Sequence, residues 1–70
     1  MCNYMELLLS QHAKEQMIDR GFSKKEVEEC LINGAKTIQN GKIISTYMDY
    51  RVVYKMINKT YFIITIMYRW

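Results

Sequence analysis

The spacing of apolar positions along the chain changes once, near residue 35. Before it, Val27, Cys30, Leu31 and Gly34 follow one another at intervals of three, one and three, the spacing of one buried helical face. Ser23 and Glu26, three apart, form a capping box that opens this helix. It is predicted to run to about Asn33, with Gly34 closing it. Upstream, Gln11 to Arg20 is polar enough for a surface helix, with Ala13, Met17 and, less cleanly, Ile18 as its apolar positions. Ser10 offers the N-cap and Gly21 stands where a left-handed C-cap belongs. Tyr4 to Leu9 reads either as a short strand or as the lead into this first helix.

From Lys36 onward the period becomes that of strands. Asn40-Gly41 is the strongest hairpin signal in the chain and joins Lys36–Gln39 to Lys42–Met48. Asp49-Tyr50 reads as a second tight turn. Arg51–Ile57 and Thr60–Arg69 are rich in β-branched and aromatic residues, and Asn58-Lys59 links them. A two-residue loop there pairs Tyr54 with Ile63 and Val52 with Thr65. Val52, Tyr54, Met56, Tyr61, Ile63, Thr65 and Met67 would then share one face. Arg51, Val53, Lys55, Phe62, Ile64 and Tyr68 would share the other, and a slip of one residue would exchange the sets. The expected fold is α+β: two N-terminal helices packed on a three- to four-stranded antiparallel sheet.

Seventy residues hold at most one domain, residues 1–70, with no room for a dinucleotide fold or a large barrel. Half the residues are hydrophobic and 24% are charged, a globular profile that excludes disorder. The net charge of +3 conceals a split. Residues 1–35 carry four cations against six anions. Residues 36–70 carry six cations (Lys36, Lys42, Arg51, Lys55, Lys59 and Arg69) against Asp49 alone. A basic strand half suits a polyanionic or acidic partner, and it equally suits an ordinary soluble surface.

Two cysteines, Cys2 and Cys30, make no disulfide framework, and with His12 as the one histidine they make no zinc set. No signal peptide or membrane-spanning run is evident. A reduced, cytoplasmic, soluble protein without cofactor or metal is expected.

His12, Gln16 and Arg20 lie at four-residue intervals and form one helical stripe. Histidine exchanges protons near neutrality, and arginine presents a fixed fork to a phosphate. Together they suit cleavage of RNA by its own 2′-hydroxyl, with His12 as acid or base and Arg20 stabilising the phosphorane oxygens. The plainer alternative is local bonding of His12 and a structural Arg20. On the strands, Arg51, Lys55, Tyr68 and Arg69 are interleaved with further tyrosines, a pattern that binds single-stranded nucleic acid by phosphate contact and stacking. Strands also simply favour tyrosine, and edge lysines block aggregation. Trp70 is placed either as a stacking platform or as a cover over the end of the helix pair. Cys30 falls on the buried stripe and reads as a small apolar group rather than a nucleophile.

The string His12-Ala13-Lys14-Glu15-Gln16-Met17-Ile18-Asp19-Arg20-Gly21-Phe22-Ser23, followed by Glu26-Val27, resembles the small bacterial and archaeal family known as domain of unknown function 4258. Thr65-Ile66-Met67-Tyr68 partly echoes that family's closing Thr-Val-Tyr-like segment. The resemblance covers nearly the whole chain. It implies the fold of RelE-like ribonuclease toxins and carries over His12 and Arg20 as active-site residues, with Thr65 and Tyr68 as weaker ones. Gln16 stands where the family usually has arginine, which removes one phosphate-binding charge but leaves a hydrogen-bonding group.

The function expected is a toxin-like, metal-independent endoribonuclease, the toxin of a toxin–antitoxin pair. His12, Arg20 and Tyr68 would be catalytic, and Gln16, Arg51, Lys55, Thr65 and Arg69 would bind nucleic acid. Its partners would be RNA and an acidic antitoxin protein, with no membrane involved. The competing reading is a non-catalytic RNA-binding or protein-interaction module on the same fold.

Overall fold

The structure, a computed structural model, describes residues 6–68. The expectations for Cys2, Tyr4, Arg69 and Trp70 lie outside the described residues. A short strand β1 (Leu7–Leu9) leads into helices α1 (Gln11–Arg20) and α2 (Lys24–Asn33). Strands β2 (Ala35–Gln39), β3 (Lys42–Tyr47), β4 (Tyr50–Ile57) and β5 (Thr60–Tyr68) follow. They form one five-stranded sheet in the order β1-β5-β4-β3-β2.

Both helices start and stop where their caps predict. Ser10 Oγ accepts from the Ala13 amide, and Gly21 closes α1 in the left-handed region at φ 74°. Both halves of the Ser23–Glu26 capping box are formed. Gly34 ends α2 for a different reason. Its φ of −73° suits any residue, but a Cβ there would strike Ser45 Oγ and the Cys30 carbonyl. At this point α2 lies directly on β3. Ser45 Oγ donates to the Cys30 carbonyl at 2.6 Å, and Cys30 Sγ donates to the Ser45 carbonyl at 3.1 Å.

The sheet departs from the expected antiparallel one of three to four strands. It has five strands and is mixed, because β1 runs parallel to β5. Three leucines carry no strand period that reveals this pairing, and a connection through both helices and three strands makes it possible. The second tight turn also shifts by one residue. Met48 and Asp49 form it, and Tyr50 pairs with Tyr47 as the first residue of β4.

Register inverts once. Tyr54 pairs with Ile63 as expected, but Val52 pairs with Ile66 rather than Thr65. A bulge sets Ile64 and Thr65 together opposite Val53, and such an extra residue reverses every side chain beyond it. Thr65 and Met67 therefore leave the helix-covered face, and Ile66 and Tyr68 enter it. The core is built there, from Ala13, Val27, Cys30 and Leu31 of the helices against Val52, Tyr54, Ile63 and Ile66 of the sheet. Both helices cover this face, and among the described residues the other face carries none. Among the described residues no helix is long and apolar enough to cross a membrane.

Candidate functional site

A pocket of about 250 Å3 opens where the α1–α2 joint meets the β3–β4 turn and the end of β5. Arg20, Glu26, Asp49, Tyr50 and Tyr68 are among the residues lining it. Local sequence explains each placement. Gly21 turns the chain sharply, and the amides of Gly21 and Phe22 both donate to the Met17 carbonyl. Phe22 then drops into the core between Tyr50 and Tyr68, its ring centroid 5.1 Å and 5.2 Å from theirs. The β5 bulge is what brings Tyr68 to this side. Its hydroxyl donates to the Arg20 carbonyl at 3.4 Å, and the Arg20 guanidinium carbon lies 5.9 Å from its ring centre. Arg20 thus sits at the carbonyl end of α1, where a cation also complements the helix dipole.

Tyr50 is a donor by construction. Its hydroxyl gives a 2.7 Å hydrogen bond to the Glu26 carbonyl. Burial, reinforced by the charges of Cys30, Glu26, Glu29 and Tyr47, pushes its pKa up to about 12. It stays protonated near neutrality and fixes the α2 wall of the pocket to the sheet. Burial likewise raises the Cys30 thiol, against weaker opposing effects of Ser45, Val52 and Lys36, so this free cysteine is a core group rather than a nucleophile.

The structure brings together only part of the residue set that the sequence suggests. Arg20 and Tyr68 meet. His12 stands at the opposite end of α1, eight residues or about 12 Å from Arg20 along the axis. It is exposed, with Gln16 Nε2 lying 3.4 Å from its Nε2, a hydrogen bond when that ring nitrogen is unprotonated. Gln16 Oε1 is buried and has no hydrogen-bond partner among the described residues. Arg51, Lys55 and Thr65 occupy the helix-free face, since their neighbours Val52 and Tyr54 point into the core. Arg69 lies outside the described residues.

Arg51 and Lys55 do not share a sheet surface with the strand tyrosines. Tyr47, Tyr50, Tyr54, Tyr61 and Tyr68 all belong to the helix-covered face, whereas Arg51 and Lys55 point the other way. The bulge moved Tyr68 away from the cations with which it was grouped. Conversely, Phe22, Glu26 and Asp49 take part in the pocket although sequence reasoning assigned them no site role. The signals were present, since Gly21-Phe22 is an apolar residue after a C-cap and Asp49 is a turn carboxylate. What the sequence does not show is that two remote turns meet.

The fold is similar to that of a chain in the crystal structure of the toxin–antitoxin complex RelBE2 from Mycobacterium tuberculosis. The two superpose with a TM-score of 0.60 at 15% identity, over 93% of this chain and 98% of that one. The likeness is one of fold. No curated protein matches the chain. The family described as domain of unknown function 4258 matches residues 9–68, and the chain belongs to it.

Proposed function

We propose that this protein is a toxin-like endoribonuclease that cuts RNA without a metal ion, as the toxin of a toxin–antitoxin pair, with its site in the Arg20–Tyr68 pocket. The family membership and the fold shared with a chain of a toxin–antitoxin complex support the class. The observation that carries the site is the convergence of a guanidinium, a phenol and the carboxylate of Asp49 on one pocket. Its volume lies just under the range of about 300–1,000 Å3 usual for drug-sized ligands, which suits one phosphate with its ribose.

In this reading Arg20 forks onto the phosphate and offsets the charge that builds on its oxygens. The 2′-hydroxyl attacks phosphorus, and its proton passes to the Asp49 carboxylate. The 5′-oxygen leaves with the Tyr68 proton, giving a 2′,3′-cyclic phosphate and a 5′-hydroxyl. Water then returns a proton to Tyr68 and removes one from Asp49. Gln16, one turn from Arg20, and His12, two turns away, contact the strand as it continues along α1.

The test is incubation of purified protein with RNA in the presence of a chelator, with end-group analysis. Cyclic-phosphate ends that disappear in Arg20→Ala and diminish in Tyr68→Phe support the proposal. RNA that is bound and left intact supports the non-catalytic module instead. Intact RNA together with unimpaired growth on expression of the protein overturns the toxin reading.

A further inference from the structure

An antiparallel sheet with one face in water normally alternates apolar and polar residues, so that its open face is polar. This sheet does not. Its helix-free face carries Leu8, Ile44, Val53, Phe62 and Met67 as neighbours across four strands. Val53 is only 9% exposed although no helix covers it, while Leu8 at 56% and Ile57 at 50% leave much of their surface bare. Contiguous apolar surface of this kind marks an interaction site.

The charge on this face is predominantly positive. Lys42, Arg51 and Lys55 lie among the apolar residues, and the five strands contain no Asp or Glu. Glu6, next to β1 and on the side of Leu8, places a carboxylate at the edge of this face, where it accepts a hydrogen bond from Thr60 Oγ1 at 3.0 Å. Arg51 Nε is buried with no acceptor among the described residues. The face thus combines an aliphatic centre, flanking cations and an N–H that lacks a partner.

We propose that the helix-free face of the sheet is the docking surface for an acidic amphipathic helix of a partner protein. A helix satisfies the apolar centre with one stripe and the cations with carboxylates on its flanks, and a helix laid on a sheet is the standard way to close a second layer. β4, at eight residues, is about 26 Å long, which matches roughly 17 helical residues. Single-stranded RNA fits this face less well. Its bases need aromatic platforms, and the five strand tyrosines face the helices, which leaves Phe62 as the one aromatic on this side among the described residues. The proposal goes beyond the pocket reading and does not rest on it.

The experiment titrates a fluorescent synthetic helical peptide, one face leucine and the other glutamate, into the folded protein, with oligouridylate as competitor. Saturable binding is expected, weakening with salt. Charge reversal by Lys42→Glu with Lys55→Glu should weaken it about tenfold or more, as should Leu8→Asn with Ile57→Asn. Lys24→Glu with Lys25→Glu, on α2, should leave it within about twofold. All these positions are exposed, and circular dichroism of each variant confirms the fold. The proposal is overturned if the peptide does not bind, or if binding ignores the face substitutions. It is also overturned if oligouridylate displaces the peptide from this face, or if the face instead seals a dimer of the chain itself by sedimentation.

Discussion

Ser10 Oγ donates to the Ile64 carbonyl at 2.8 Å while it accepts from the Ala13 amide at 3.0 Å. The Ser10 amide adds a third bond, to the Ile63 carbonyl at 3.0 Å. One residue therefore ends β1, caps α1 and fixes the helix to the bulge of β5. That bulge is the feature that turns Tyr68 toward Arg20. Ser10→Ala removes the cap and leaves a carbonyl of the bulge without its donor. A loss of about 2–3 kcal/mol is expected, from roughly 1 for the cap and 1–2 for the carbonyl. Urea denaturation measures it, and Ser10→Thr should restore most of the loss.

Gly34 is constrained by space rather than by backbone angle. Any Cβ would press on the Ser45–Cys30 hydrogen bond that clamps α2 to β3. Gly34→Ala should cost about 2–3 kcal/mol, the upper part of the range for overpacking. An equal stability of Gly34→Ala and wild type in thermal melts would show that the clamp yields freely.

Two-residue turns that need positive φ twice occur at Asn40-Gly41 and at Asn58-Lys59. The first has the preferred sequence, but the second holds a lysine at φ 68°. Lys59→Gly gives the second turn the sequence of the first. It should stabilise the protein by about 0.5–1 kcal/mol, the left-handed penalty less the entropy of glycine. The gain would be read as a higher melting temperature.

Alkaline pH should weaken the fold through Cys30, Tyr50 and Tyr54, all raised chiefly by burial. A raised folded-state pKa means that the unfolded chain loses the proton first. Their contribution is complete below the unfolded values, 9.0 for cysteine and 10.0 for tyrosine, and is lost as pH rises beyond them. Stability measured from pH 8 to 11 should fall, and Cys30→Ala should flatten the first part of that fall. In the native state near neutrality, Cys30 should resist alkylating reagents that modify it in urea.

The local parts of this fold were legible because local chemistry sets them. Ser10, Gly21, the Ser23–Glu26 box and Asn40-Gly41 each determine a boundary by hydrogen bonds or φ within a few residues. The parallel pairing of Leu7–Leu9 with Tyr61–Ile63 was not legible, since it joins segments more than fifty residues apart. The bulge at Ile64 was hidden too. Ile63, Ile64 and Ile66 are equally apolar, so no pattern tells which of them turns inward. That one ambiguity decided the site. It assigned Tyr68 to the face with Arg51 and Lys55, when in fact it faces Arg20 from the other side of the sheet.

The most direct measurement is the RNA cleavage rate of Arg20→Ala beside that of His12→Ala, both verified as folded. If the Arg20–Tyr68 pocket holds the reacting phosphate, Arg20→Ala loses about 100-fold or more, as removal of a single transition-state donor does. His12→Ala, altered two helical turns away, then keeps most of the wild-type rate. The opposite ranking, with His12 indispensable and Arg20 dispensable, would contradict the assignment of the site to the pocket.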